Sequence, residues 1–510
     1  MDTPSLPPPP PPASASATPM TSGTRMARNA GLMMLAQLLT WAMAFLVAIF
    51  QPRILGPLAV GQLAIAFSIW LIVGVVISFG MDTHLTKEIA RNPQRTSSLV
   101  GTSLILRVII WLVSCFAVWG YEQLSFGADP VQSALIWTIS LATLFAALSS
   151  AIMAALVGLE QMPFVSLMTV LNKIVLTVLS LALLFAGFNV IWISFASIMA
   201  ALVGFIGGAF ILFRQYPLRL RFDFPTARDM LFASRKYLIT ALTVMFYQQI
   251  SYLFIAWLAS TDAVGWYSTA TKLYGTLMFF PVAIGTVVFP SLIRSHAAGQ
   301  DHLSYAARRI FNLMLTMSLP VGLGLTTFAD PIVRLLYGDA FVQTGTVLAV
   351  LGIVLTFTYL NTIIGQLMLA AERTYALNLI MIVAAFATMP LNFILVTWSD
   401  TTLANGALGG ALALMITEAS ILLAMIYQLP KGTLGADNLR VCGLSLFAAL
   451  VMVLAIWWLR STSFFFLGVP LGAIIYLVAI LRLRVLPPED LELAKEVFTK
   501  IRARLQGAKS

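Results

Sequence analysis

The sequence predicts an all-α polytopic membrane protein, and three properties of the chain lead to that prediction. Of its 510 residues, 60% are hydrophobic and only 10% are charged, whereas soluble globular domains contain about 25% charged residues. The apolar stretches are continuous rather than alternating, which excludes a transmembrane β-barrel. Many of these stretches reach the roughly 20 residues that a helix needs to cross a bilayer.

The same properties exclude two classes of protein. The composition rules out an ordinary cytosolic enzyme. The net charge of +10 does not indicate a nucleic-acid-binding protein, because basic residues in so apolar a chain usually face anionic lipid headgroups. Cys115 and Cys442 both lie in apolar stretches and give neither a disulfide framework nor a metal-ligand cluster.

Fourteen segments are expected to span the membrane. In chain order, they are 29–50, 58–80, 98–120, 131–156, 164–187, 190–213, 237–259, 265–292, 307–328, 345–370, 376–398, 407–428, 441–460 and 463–483. Pro281 and Pro290 are expected to kink or end the long eighth span. Arg460 and a few small residues separate the last two spans.

The distribution of Lys and Arg predicts the orientation of these spans. With a cytoplasmic N-terminus, 24 of the 30 basic residues fall in the segments assigned to the cytoplasm and 3 in the opposite loops. This bias is a strong positive-inside signal. Both termini are therefore predicted to be cytoplasmic: a Pro-rich, disordered tail over 1–28 and a C-terminal tail over 484–510.

An internal repeat predicts two lobes. Residues 53–66 align with 257–270 and share Ala-Val-Gly at an offset of 204, and 158–167 align with 370–379, with Glu160 over Glu372. Six spans thus correspond to the next six in the same orientation. The sequence predicts lobes at 29–213 and 237–428, joined by a basic cytoplasmic loop at 214–236. Two added spans follow at 441–483. Such parallel repeats are typical of transporters with a substrate path between the lobes.

Several motifs resemble one transporter family. They are DAVGWYSTATKLYG (262–275), FFPVAIGTVVFPSL (279–292), LLYGDAF (335–341), LMLAAERTY (367–375), PLNFILV (390–396) and GALGGALALMITE (406–418). In their order and spacing they resemble the Wzx-type polysaccharide flippases of the multidrug/oligosaccharidyl-lipid/polysaccharide (MOP) exporter superfamily. The resemblance covers about 28–484. It implies a MOP/MATE-like fold and translocation of a polyprenyl-pyrophosphate-linked oligosaccharide to the outer leaflet of a bacterial inner membrane.

The resemblance also implies partners. They are the lipid-linked oligosaccharide itself, membrane lipids and, in the same assembly line, a polysaccharide polymerase and chain-length or export proteins. No nucleic acid and no cofactor are expected, and the chain is expected to function as a monomer. The sequence does not identify the glycan as O-antigen, capsule or exopolysaccharide.

Four ionisable residues lie within predicted spans, where charge is costly and often functional. Arg107, Lys173 and Lys272 are cationic, and Glu418 is acidic. The excess of positive charge favours binding of a pyrophosphate, and Lys272 falls on a position that is commonly basic in the family. Each of Arg107 and Lys173 could instead snorkel or contact backbone carbonyls. Glu418 could form a buried ion pair with one of the cations, or couple ion movement to transport.

A second group of candidates is less strongly indicated. Arg53 matches a family pattern at the outer end of the first span, where it could contact a headgroup or simply snorkel. Gln248 and Gln249 could hydrogen-bond sugar hydroxyls, although most such residues bridge helices. The family often carries an Arg-Ile-Asp-like triplet in the seventh span. Gln249, Ile250 and Ser251 stand there instead.

Several functions are disfavoured. No phosphate-binding Gly-x-x-x-x-Gly-Lys motif occurs, and the three histidines lack metal-ligand spacing. The sequence therefore predicts no enzyme, no catalytic residue and no metal. Two alternatives stay open: a MATE-type multidrug or cation antiporter, and a non-transporting membrane component of a polysaccharide assembly complex. The first fits less well, because the first and seventh spans contain no acid.

Overall fold

The computed structural model describes residues 22–125, 129–216, 221–430, 432–462 and 464–485. Within these ranges the chain is helical and has no β-strand. Its α-helices are α1 (Ser22–Ser78), α2 (Met81–Arg91), α3 (Thr96–Ser125), α4 (Pro130–Gly158), α5 (Met162–Phe185), α6 (Val190–Gln215), α7 (Phe224–Leu258), α8 (Thr261–Leu277), α9 (Phe279–Ala297), α10 (Gln300–Tyr337), α11 (Val342–Ala370), α12 (Thr374–Leu403), α13 (Gly406–Gln428), α14 (Ala436–Ile456) and α15 (Gly468–Arg482). We call α1–α6 the first lobe and α7–α13 the second lobe.

The described residues contain 13 helical stretches long and apolar enough to cross a membrane, close to the 14 predicted. The difference lies in α1, whose 57 residues contain the first two predicted spans. An unbroken helix of that length would measure about 85 Å, more than twice the hydrocarbon thickness of a bilayer. Gly56 interrupts it, with φ 77° and ψ 169°, a conformation that glycine adopts at little cost.

Three helix boundaries differ from the prediction. The basic loop predicted at 214–236 is helical from Phe224 onwards, because the side chain of Asp223 accepts a hydrogen bond from the Thr226 amide and caps α7. Pro281 follows a break at Met278, so the eighth span consists of α8 and α9. The N-terminal tail is helical from Ser22, whereas residues 1–21 and 486–510 of the predicted tails lie outside the described residues.

One short helix was missing from the prediction. The helix α2 buries Met81, Leu85 and Ile89 on one face, a spacing that marks an amphipathic helix. Because its hydropathy is low, a search for apolar segments does not detect it. Together with α3, α4 and the start of α7, it forms a core at the predicted cytoplasmic side.

The lobes meet backbone to backbone at the predicted outer side. A Cβ on Gly61 would overlap the carbonyl oxygen of Thr261, and a Cβ on Gly265 would overlap that of Pro57. Gly61 and Gly265 are separated by the repeat offset of 204, and so are Pro57 and Thr261. Each lobe thus makes the same contact on the other, as a pseudo-twofold axis between α1 and α8 requires.

The second repeat match also has a structural counterpart. Glu160 and Glu372 both adopt φ 59°. Glu160 lies in the turn between α4 and α5, and Glu372 in the turn between α11 and α12. In each turn the next amide donates to a carbonyl five residues back, Gln161 to Leu156 and Arg373 to Met368. This pattern is that of a Schellman-type helix end. The two turns therefore share conformation as well as sequence position.

The C-terminal helices are fixed to α10 at both ends. Arg460 forms an ion pair with Asp330 at 2.9 Å near the predicted outer side. At the other end, Asn438 Nδ2 donates to Asn312 Oδ1 at 2.7 Å. A common core joins α14 and α15 to the second lobe.

Three prolines free backbone carbonyls within the membrane-spanning region, and a tyrosine hydroxyl binds each of these carbonyls. Proline lacks the amide hydrogen that would bond to the carbonyl four residues earlier. Pro52, Pro281 and Pro320 free the carbonyls of Ala48, Leu277 and Thr316. These accept hydrogen bonds from Tyr337 at 2.9 Å, Tyr359 at 2.5 Å and Tyr476 at 2.7 Å, respectively. The bonds join α1 to α10, α8 to α11, and α10 to α15.

We predict that Tyr476→Phe lowers the free energy of unfolding by about 1–3 kcal/mol, because it leaves the Thr316 carbonyl buried without a donor. Thermal or denaturant unfolding of the purified protein in detergent measures the change. Tyr427→Phe is the matched control, since the Tyr427 side chain is exposed and its loss should have little effect. Equal stability of the Tyr476→Phe variant and the wild type would contradict the prediction.

Candidate functional site

A cavity of about 600 Å³ lies between the first lobe and α7. It extends from the predicted cytoplasmic ends of α1 and α7 towards the middle of the bundle. Its polar and aromatic lining residues are Phe67, Trp70, Ser78, Asp82, Thr83, Thr143, Ser150, Asn172, Ser197 and Tyr237. The lobes are also in contact at this end, because Gly80 packs against Tyr237 of α7. The cavity therefore lies between the contacts at the two ends of the lobes.

Arg107 does not line this cavity but supports its wall. Its side chain is fully buried, and Nη2 lies 2.5 Å from Asp82 Oδ1. Arg107 also donates to Ser103 Oγ at 3.2 Å, to Ser150 Oγ at 2.6 Å and to the Ala147 carbonyl. The guanidinium is therefore already neutralised, and the structure places it as the partner of a cavity carboxylate.

Asp82 is the residue that the sequence reasoning missed here. It lies in the first turn of α2, where a carboxylate is favoured by the helix dipole. The sequence predicts a loop over this segment, so Asp82 is not among the predicted partners of Arg107. An acid two residues after Gly80 and five before Lys87, with apolar residues at 81, 85 and 89, is the available signal of a short amphipathic helix.

A second cavity, of about 300 Å³, brings Lys173 and Lys272 together. The two residues come from α5 and α8, and Trp41 and Thr276 also line the cavity. Leu176 lines both cavities, so the two are adjacent. The structure thus unites two cations that are 99 positions apart in the chain.

The two lysines differ in their contacts. Lys272 Nζ donates to Gln51 Oε1 at 3.1 Å, a hydrogen bond between the lobes, and Gln51 is buried. Lys173 is partly buried and forms no ion pair or hydrogen bond with any described residue. No acid compensates either charge within the described part of the chain. The pair can therefore bind an anion.

Glu418 lies apart from the cations, in the second lobe. Its carboxylate accepts hydrogen bonds from Tyr247 Oη at 2.8 Å and from Asn361 Nδ2 at 2.7 Å. The expected alternative of an ion pair with Arg107, Lys173 or Lys272 is wrong for the described residues, because polar neutral groups surround Glu418 instead. Oδ1 of Asn361 is buried without a partner beside it.

The remaining candidates lie elsewhere. Arg53 is exposed at the predicted outer side, where Nη1 lies 3.4 Å from the Leu335 carbonyl of the other lobe. Gln249 accepts a hydrogen bond from Ser68 Oγ at 3.1 Å, so it bridges α1 and α7. Gln248 is exposed and lines neither cavity. In the described part of the chain, no group of three or more His, Cys, Asp or Glu residues could hold a metal ion.

Comparison with known families matches residues 26–296 to the model described as polysaccharide biosynthesis protein. This match covers more than half of the chain. The chain belongs to this family. A relative from Haloferax volcanii, named probable low-salt glycan biosynthesis flippase Agl15, is 22% identical over 198 residues. That alignment spans 39% of this chain and 41% of the relative, so the chain matches less than half of the relative's length.

Solved structures confirm the predicted fold for this member of the polysaccharide biosynthesis family. The lipid II flippase MurJ, in an inward closed conformation, superimposes with a TM-score of 0.70 at 15% identity, over 89% of this chain and 98% of that one. An inward-facing multidrug resistance MATE transporter of the MOP superfamily gives a TM-score of 0.64 at 13% identity, over 78% and 98%. The MOP/MATE-like fold predicted from the sequence is therefore confirmed.

We predict that the two halves of the Asp82–Arg107 pair are unequal in stability. Asp82→Ala should destabilise the protein by about 3 kcal/mol or more, because it leaves a buried guanidinium without its counter-charge. Arg107→Leu should lower the free energy of unfolding by a smaller amount, because the Asp82 carboxylate is partly exposed and water in the cavity can hydrate it. Unfolding in detergent measures both changes.

Asp339→Ala serves as the matched control for this comparison. It breaks an exposed pair with Arg334 at 2.9 Å, which should contribute less than about 1 kcal/mol. If Arg107→Leu destabilised as much as Asp82→Ala, the carboxylate would not be accessible to water as described.

Proposed function

We propose that this protein is a flippase that translocates a polyprenyl-pyrophosphate-linked oligosaccharide across a bacterial inner membrane for the synthesis of a surface polysaccharide. Its membership of the polysaccharide biosynthesis family supports a role with glycans. Two printed names support a flippase: that of a relative, a probable glycan biosynthesis flippase, and that of a protein of similar fold, a lipid II flippase.

The cavity that contains Lys173 and Lys272 carries this proposal. Uncompensated cations are costly in a low-dielectric environment, and a pyrophosphate would supply the missing negative charge. Charge-assisted hydrogen bonds from two ammonium groups would hold it. In contrast, a cationic drug, the typical cargo of a MATE-type antiporter, would be repelled at this place.

The proposed cycle opens the contacts between the lobes first at one end and then at the other. The pyrophosphate binds the lysines from the predicted cytoplasmic side, with the polyprenyl tail in lipid at a lateral opening. The lobes then rock so that the Gly61 and Gly265 contacts part and the sugar reaches the outer side. The hydrogen bond from Lys272 to Gln51 must also break in this step, and Lys272 can exchange it for a phosphate oxygen.

Glu418 is our candidate for ion coupling. A buried carboxylate held by neutral groups, among them Tyr247 and Asn361, can gain a proton or a cation without breaking an ion pair. The membrane potential, acting on the anionic substrate, is the alternative driving force. The orientation predicted from Lys and Arg places both termini in the cytoplasm and is part of the proposal, as are function as a monomer and contacts with a polymerase and export proteins.

We predict that Lys272→Ala lowers the translocation rate about tenfold or more, because a hydrogen bond to a charged group contributes about 1.5–3 kcal/mol. Lys272→Arg should retain much of the rate. The measurement is appearance of lipid-linked oligosaccharide on the far leaflet of proteoliposomes. Lys236→Ala is the control, because Lys236 is exposed and lines neither cavity. Full activity of Lys272→Ala at equal expression would remove Lys272 from the site.

A deletion strain distinguishes the flippase from the two alternatives, the antiporter and the non-transporting component. A deletion strain should lose its surface polymer and accumulate completed lipid-linked units on the cytoplasmic leaflet. Normal polymer with altered drug resistance would instead favour the antiporter. Restoration of export by a Lys173→Ala, Lys272→Ala double variant would favour a non-transporting component.

We predict that Glu418→Gln abolishes any acceleration of translocation by an imposed proton or sodium gradient, while downhill exchange of substrate between leaflets continues. The neutral amide fills the same space but cannot gain or lose a proton. Glu160→Gln is the control, since Glu160 is exposed in a turn. Unchanged acceleration in Glu418→Gln would assign the driving force to the membrane potential or to another group.

A further inference from the structure

We propose that the 600 Å³ cavity binds the sugars of the substrate, and that Asp82 makes this site selective for uncharged sugars over acidic ones. This inference rests on the proposed function, in which the two lysines take the pyrophosphate. It assigns a different part of the same substrate to a cavity with different chemistry. Leu176 lines both cavities, so one molecule can occupy them together.

The carboxylate of Asp82 is held in one orientation. Oδ1 accepts hydrogen bonds from Arg107 Nη2 at 2.5 Å and from Ser150 Oγ at 3.4 Å. Oδ2 accepts none from the described residues, and the side chain remains 40% exposed. A fixed carboxylate with one free oxygen is a strong acceptor for hydroxyl groups. The buried guanidinium thus supports an acceptor that faces the ligand space.

The rest of the lining suits a sugar. Asn172 uses Nδ2 to bind the Ala200 carbonyl at 2.8 Å, which leaves its amide oxygen for a ligand hydroxyl. Ser197 and Thr143 add hydroxyl groups. Tyr237 contributes a half-buried aromatic ring, whereas the ring of Trp70 is buried in the core. The indole N–H of Trp70 is buried without a hydrogen-bond partner among the described residues.

The charges around the cavity disfavour an acidic sugar. No Lys or Arg is among its described lining residues, and Arg107 is completely buried. At the rim, Lys87 Nζ is bound to Tyr237 Oη at 2.9 Å. Lys236 Nζ also lies at the rim, 5.3 Å from the ring centroid of Tyr237. A uronic acid bound beside Asp82, away from these rim lysines, would bring its carboxylate towards the free Oδ2, and such a like-charge contact discriminates between ligands.

The test uses the full-length protein in proteoliposomes with three polyprenyl-diphosphate-linked disaccharides. They differ only in the second residue, which is a hexose, an N-acetylhexosamine or a hexuronic acid. Oxidation of exposed sugars by externally added periodate, followed by mass spectrometry, gives each translocation rate. We expect the wild type to move the two uncharged substrates at least about tenfold faster than the acidic one, the ratio expected for about 1.4 kcal/mol of discrimination.

Asp82→Asn should bring the three rates to within about threefold of one another, the remaining difference corresponding to less than about 1 kcal/mol. The double variant Asp82→Asn, Arg107→Gln replaces the ion pair by a neutral pair and covers the case in which the single variant unfolds. Glu88→Gln removes an acid from the same helix outside the cavity and should keep the wild-type ratio.

Three results would overturn the inference, and they are distinguishable. Equal wild-type rates for all three substrates would show that the cavity does not select against acidic sugars. An equal slowing of all three by Asp82→Asn, with the ratio preserved, would reduce Asp82 to a structural role. Failure of the wild type to move any of them would refute the proposed function, and the sugar site with it.

Discussion

In the hydrocarbon core of a bilayer, a backbone carbonyl that has lost its amide partner finds no water to bind, and this constraint shapes the whole bundle. Pro52, Pro281 and Pro320 each create such a carbonyl. The three tyrosines that bind them come from other helices. Consequently, each of these three proline sites is also a point of attachment. The bond from Tyr337 joins the lobes. The bond from Tyr359 reaches Leu277, next to the lining of the lysine cavity, and the bond from Tyr476 holds the last helix.

The position of the cavities follows from where these attachments lie. At the predicted outer side, the Tyr337 hydroxyl and the Gly61–Gly265 contacts hold the lobes together. At the predicted cytoplasmic side, α2, α3 and α4 of the first lobe share a core with the start of α7, and Gly80 packs against Tyr237. The cavities therefore lie between two sets of contacts, and in the proposed cycle each set must part in turn.

The sequence predicts the helices well, because length and hydropathy are local properties of the chain. It also predicts the two lobes, since the shared Ala-Val-Gly at offset 204 reflects the glycine contact that relates them. It does not predict which charges meet. Lys173 and Lys272 approach each other because α5 and α8 both pack against α1. Asp82 lies in a helix too short and too polar for a hydropathy window. Partners of buried charges are set by tertiary structure.

The turns at Glu160 and Glu372 are informative about the origin of the protein. Both glutamates adopt a left-handed backbone conformation, which is unfavourable for a residue with a Cβ, and both side chains are exposed. Neither packing nor the cavities require glutamate at these places. The same residue in the same unfavourable conformation, at matching points of two lobes, is the signature of an ancestral gene that was duplicated and fused. The two turns thus keep the same backbone conformation, although most of the aligned residues differ between the lobes.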